Sequence, residues 1–132
     1  MNRLLIFLVA LLLGCTRQAK EFEDYSEKIG FDPSKPTLLI SLENCSYCFT
    51  EYQETVKEID KQLFNLVIIS SQIKKASLLA SPDNESVFVD SEKYAIKKGL
   101  IKSLPVILLP DGEKIEIFSP AQLLEYTNNY VL

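Results

Sequence analysis

Cys45 and Cys48, two thiols separated by Ser46 and Tyr47, are the residues of this chain best suited to reversible covalent chemistry. Thiols at that spacing can close a disulfide within one helical turn and reopen it. A sulfur held at a helix N-terminus faces unpaired N–H groups and the positive end of the helix dipole, which favours thiolate. Cys45 is therefore the candidate attacking thiol, and Cys48, one turn further in, the candidate resolving thiol. Competing chemistries are few. The 132 residues include no histidine, which excludes Ser-His-Asp and Cys-His pairs, a histidine general base and His-ligated metals. Met1 is the one methionine, so thioether copper(I) binding is also excluded. A net charge of −4 argues against nucleic acid as a partner, because phosphate contacts need a basic face. A zinc half-site would lack a second ligand pair, and neither metal nor cofactor is called for. A purely structural staple would stabilise little across so small a loop.

The pair has to be positioned by the elements around it. Thr37–Leu42 is a short apolar run after Pro36, read as a buried strand, and a helix is predicted from Ser46 to Gln62. Phe49, Tyr52, Val56, Ile59 and Leu63 form one buried stripe on that helix, with charged residues opposite. Phe64–Ile69 reads as a second strand, completing a βαβ unit with Cys45 between its first strand and helix. A short helix over Gln72–Ala80, a strand at Val87–Val89 and a helix capped by Ser91 and ending near Gly99 follow. Leu104–Leu109 and Lys114–Phe118 flank the turn Pro110-Asp111-Gly112-Glu113 and should pair as a hairpin. Ser119-Pro120 opens a last helix whose apolar residues are Leu123, Leu124, Thr127 and Val131.

The N-terminus reads as targeting sequence. Arg3 precedes the unbroken apolar run Leu4–Leu13, about half the length needed to cross a bilayer, as in a signal peptide. Leu12-Leu13-Gly14-Cys15 resembles a bacterial lipobox, which implies cleavage after residue 14 and acylation of Cys15. Two or three acyl chains would hold the protein firmly to a membrane. Cys45 and Cys48 then remain as the sole thiol pair in an oxidising compartment. Thr16 after the cysteine is associated in that pattern with the outer membrane, facing the periplasm. The expected organisation is a signal peptide over 1–14, a lipidated cysteine and tether over 15–35, and one domain over 36–132. Residues 16–35 carry five acidic and four basic side chains, end in Asp32-Pro33-Ser34-Lys35-Pro36, and would reach at most about 66–72 Å when extended. A short helix over Glu21–Ile29 is the one element they could form, with Phe22, Tyr25 and Ile29 its only apolar residues.

The element order, Cys45-Ser46-Tyr47-Cys48 and Leu104-Pro105 before the hairpin together resemble the thioredoxin fold, an α/β architecture with a central mixed sheet flanked by helices. The α-β insertion at about 72–90 and the stretch from Gly99 to Gly112 are similar to the TlpA-like and AhpC/TSA-related thiol-disulfide oxidoreductases. That resemblance implies attack by Cys45 and resolution by Cys48. It also implies a cis peptide before Pro105, and a client chain held at Tyr47, Leu104 and Pro105. Glu51 matches a glutamate of the TlpA-like reductases and is implied as a local proton shuttle. The implied partners are proteins with disulfides and a thiol protein that recharges the pair. Several positions depart from the pattern: Asn44 where many relatives carry tryptophan, Leu39 where thioredoxins bury an acid, and Gln53 where a helix proline is common. With no cation between Lys35 and Lys57, the nearby carboxylates of Glu43 and Glu51 oppose thiolate formation, and a reductant is expected. Two other readings stay open. One is a non-catalytic thioredoxin-like lipoprotein acting as a binding or assembly module; the other is a copper(I) carrier using the two thiols.

Overall fold

Leu38-Leu39-Ile40 and Leu66-Val67-Ile68-Ile69 are apolar at every position, so successive side chains, which point to opposite faces of a strand, both need cover. A computed structural model describes residues 2–43 and 45–130; most side chains before residue 17 lie outside that description, as does Val131 of the expected last helix. Five strands form one mixed sheet: β1 (Thr37–Ser41), β2 (Asn65–Ile69), β3 (Val87–Asp90), β4 (Val106–Leu108) and β5 (Lys114–Glu116). Their spatial order is β3-β2-β1-β4-β5. β1, β2 and β3 run parallel, while β4 is antiparallel to both β1 and β5. Helices flank this sheet, giving the thioredoxin-like α/β arrangement expected from the element order.

Leu38, Ile40, Leu66, Ile68 and Ile107 line one face and pack with Tyr52 and Val56 of α2 (Cys48–Glu58), Ile59 just after it, and Leu123 of α5 (Pro120–Tyr130). Ala76 and Leu79 of α3 (Ile73–Leu79) close the same layer. Of the predicted stripe Tyr52, Val56 and Ile59 are buried while Phe49 and Leu63 are half-buried. The helix starts at Cys48 and stops at Glu58, short of Ile59 and Leu63. At α5 the Ser119 hydroxyl accepts the Gln122 N–H at 3.2 Å, the N-cap read from the sequence.

The opposite face holds Leu39, Val67, Ile69, Val106 and Leu108. Its cover corrects the expectation of a tether. α1 runs without a break from Asn2 to Ile29, and Phe22 and Tyr25 on it, with Phe31 just beyond, are buried in this second core. The Phe31 ring centroid lies 5.6 Å from both the Phe22 and Tyr25 rings and 6.1 Å from Phe88. The physical reason is the two-sided sheet: α4 (Tyr94–Lys97) is a single turn and cannot cover that face alone. Each buried aromatic contributes roughly 1.5–3 kcal/mol of apolar transfer. Gly30, at φ +100, ends α1 by donating its N–H to the Ser26 carbonyl at 2.7 Å. Among the described residues no helix is long and apolar enough to cross a membrane.

Asp90 joins α1 to the sheet. Its carboxylate accepts the Tyr25 hydroxyl at 2.9 Å and the N–H groups of Tyr94 and Ala95 at 3.0 and 2.9 Å. Asp90 therefore caps α4 where Ser91 was expected to, because Lys93 at φ 60 turns the chain back and aims the α4 donors at residue 90. Burial, reinforced by the Asp90 charge and hydrogen bond, pushes the Tyr25 hydroxyl pKa far up, so it stays a donor.

Candidate active site

The parallel strands all end on the same edge of the sheet, and the loop after β1 carries the cysteines there. Cys45 and Cys48 are joined in a disulfide with Cα atoms 5.4 Å apart. The Cys48 N–H donates to the Cys45 carbonyl at 3.4 Å, closing the turn that leads into α2. Cys48, not Cys45, is the first residue of the helix, and the N-cap residue Tyr47 makes no side-chain capping hydrogen bond. Cys45 thus sits just ahead of the helix N-terminus, the end that carries the unpaired N–H groups.

Burial distinguishes the two sulfurs. Cys48 is 0% exposed and belongs to the core beneath α2, whereas Cys45 is half-buried. A reagent from solvent meets Cys45 before Cys48. Tyr47, 70% exposed, stands beside it. Cys48 Sγ lies 4.0 Å from the Ser103 carbonyl, which would accept its S–H once the disulfide is opened.

Ser103 belongs to the loop that brings Leu104 and Pro105 to the same edge. β1 and β4 pair from Thr37–Leu108 to Leu39–Val106 and no further. Pro105, the next residue, has no N–H to continue the ladder. Its carbonyl instead accepts the Ile117 N–H at 2.8 Å, which puts Leu104 across from Phe118. No cis peptide bond occurs among the described residues, so the bond before Pro105 is trans, contrary to the cis geometry expected. Trans is the default, favoured by about 0.5–1 kcal/mol even before proline, and the β4–β5 ladder extends through Pro105 without the other isomer.

Glu51 lies in the first turn of α2 and is exposed, its N–H bonded to the Tyr47 carbonyl at 3.0 Å. Glu43 is engaged elsewhere: its carboxylate accepts both the N–H and the hydroxyl of Ser71, at 2.5 and 2.7 Å. Those bonds hold its pKa below the usual carboxylate range, with help from Lys93 and Lys75. This Glu43–Ser71 bridge pins the cysteine loop to the loop after β2. It also shows that cations approach the site from α3 and from the turn before α4, which their distance in sequence concealed. Leu39 packs with the α1 side of the sheet and Cys48 with the other, so position 39 does not supply a group under the resolving sulfur. Asn44 lies outside the described residues.

Sequence reasoning missed four members of this edge: Ser103, Ser71, Ile73 and Phe118. Ile73 and Phe118 are 60% and 69% exposed, large apolar side chains open to solvent. Phe118 was recoverable from the hairpin register, which sets it opposite Leu104. The Ser71 contact had no sequence signal.

No protein-family model and no curated protein matches the chain. Solved structures do resemble its fold. StoA from Bacillus subtilis is 17% identical with a TM-score of 0.47, covering 73% of this chain and 84% of that one. MTB dsbF, in its mixed oxidized and reduced forms, is 12% identical with a TM-score of 0.47, covering 73% and 81%. The reduced N-terminal domain of PilB from N. meningitidis is 18% identical with a TM-score of 0.44, covering 77% and 85%.

Proposed function

We propose that this chain is a thiol-disulfide oxidoreductase of the cell envelope, anchored by lipid on Cys15, that reduces or exchanges disulfides of partner proteins. The observation that carries the reading is the unequal burial of the two bonded sulfurs, Cys45 half-buried and Cys48 at 0% exposure.

The chemistry balances over the two thiols. In the reduced protein the Cys45 thiolate attacks one sulfur of a client disulfide. The client S–S bond breaks, a Cys45–client bond forms, and the departing client thiolate takes a proton. Cys48, deprotonated, then attacks Cys45 Sγ, which re-forms the internal disulfide and releases the second client sulfur as a thiol. Two electrons pass to the client, and a dithiol protein restores them. Glu51, one turn along α2 from Cys48, is the proposed acceptor of the Cys48 proton. Tyr47, Leu104 and Pro105 are the proposed client-binding residues, the last two following Ser103, whose carbonyl lies 4.0 Å from Cys48 Sγ. Glu43 and Glu51 disfavour thiolate and support the reducing direction, against the opposing pull of Lys75 and Lys93 on the same loop.

The test is trapping. Cys48→Ser should accumulate mixed disulfides through Cys45, and Cys45→Ser should accumulate far fewer. If neither variant traps a partner, the exchange mechanism is wrong. A reduction potential near −120 mV, typical of a strong oxidant, would reverse the proposed direction. The departure at Gln53, where a helix proline is common, favours one second reading, a binding module with the pair as a local staple. In that case the variant lacking both cysteines should capture partners undiminished.

A further inference from the structure

The β4–β5 hairpin turn rests directly on α1. Gly112 has φ +90, and a Cβ there would lie 2.5 Å from the Gln18 carbonyl carbon and 2.6 Å from the Ala19 nitrogen. Only a residue without a side chain lets the two backbones come this close. The contact lies at the end of the sheet away from the disulfide. Leu108, the last residue of β4, pairs with Thr37, the first of β1, whereas the cysteine loop follows Ser41, the last. The strand alone separates these ends by about 13 Å.

Cys15 precedes Gln18 by three residues in the same unbroken helix. Along a helix that is about 4.5 Å, against the 66–72 Å or so of an extended tether. We propose that the turn Pro110–Glu113 and the adjoining turn of α1 face a phospholipid surface, which directs the disulfide edge away from the membrane. The proposal rests on the reading of Cys15 as the lipidated residue. Arg17, Lys20 and Lys114 at this end are mixed with Glu21, Asp111 and Glu113, and Arg17 pairs with Glu21 at 3.5 Å. The apposition therefore comes from the short spacing and not from attraction to anionic lipid.

The chain contains no tryptophan, so one introduced residue reports position without background. Glu113→Trp at the hairpin and Ile73→Trp at the disulfide edge, both exposed positions, are made in the lipid-modified protein. Each is reconstituted into phosphatidylcholine vesicles carrying a headgroup nitroxide. Glu113→Trp should be quenched several-fold more than Ile73→Trp, with little change when anionic lipid is added. Equal quenching, or stronger quenching of Ile73→Trp, in protein that floats with vesicles and is released by Cys15→Ser leaves the anchor standing and overturns the orientation. Protein that does not float, with or without Cys15, overturns the anchor and the orientation with it.

Discussion

Replacing Phe22 by alanine separates a tether from a core element. Phe22 is 2% exposed and packs against Phe31, the rings tilted by 48°, in the cluster that covers Leu39, Val67 and Val106. Truncating a buried phenylalanine removes its transfer energy and leaves a void, together about 3–5 kcal/mol. The lower part of that range applies, because α1 is an outer layer and can shift inward. Unfolding entropy of about 2.1 cal/mol/K per residue gives roughly 4 °C per kcal/mol for a domain of this size, so the midpoint should fall by about 12–16 °C. The assay is thermal unfolding by circular dichroism of oxidised protein beginning at residue 16. Ile73→Ala, at a position 60% exposed, is the control and should move the midpoint by no more than about 2 °C. A chain beginning at Pro36 should lack a cooperative transition altogether. If Phe22→Ala melts within about 2 °C of the parent, the packing of α1 contributes nothing and the tether description is right.

In reduced protein Cys45 should be alkylated at least ten times faster than Cys48 (on the order of the burial difference in thiol access), measured by mass spectrometry of quenched time points. Tyr25→Phe should cost about 1–2 kcal/mol by chemical denaturation, since Asp90 loses one of its donors. The Tyr25 hydroxyl has a folded pKa above its unfolded value near 10, so its contribution is complete below that pH and declines above it. The parent should therefore lose stability above pH 10 more steeply than Tyr25→Phe. Glu43 has the opposite sign. Its folded pKa lies below the ordinary 4.5, so the Ser71 bridge contributes above that pH and is lost as pH falls through the depressed value. Glu43→Gln should differ from the parent at neutral pH and converge with it in acid, followed by denaturation across pH. Gly112→Ala should destabilise by at least about 1 kcal/mol, because a side chain at φ +90 would also meet the α1 backbone.

The strands, α2, the hairpin and the α5 cap were legible because each follows a local rule: continuous apolar runs, a 3-4 stripe, a proline-glycine turn, a serine before proline. The cysteine turn was legible for the same reason. What escaped depended on tertiary partners. Phe22, Tyr25, Ser26 and Ile29 do lie at helical spacing, but their charged neighbours gave the segment the composition of a linker. The better signal was indirect: strands apolar on both faces require two layers, and one short helix was left to make the second. Asp90 replaced Ser91 as a cap because Lys93 adopts a left-handed conformation, which no pattern announces. The trans bond before Pro105 was equally invisible, since the isomers differ by so little. Lys75 and Lys93 sit far from the cysteines in sequence and reach Glu43 only through the fold.

The Tyr25–Asp90 bond joins residues 65 positions apart, and the rest of the α1 interface reaches to Leu108. The first segment of the domain to be synthesised is therefore the last able to settle. Until β3, α4 and β4 exist, Phe22, Tyr25 and Phe31 have nothing to cover, and the sheet has one bare side. Contacts of such long sequence separation form slowly compared with a helix or a hairpin.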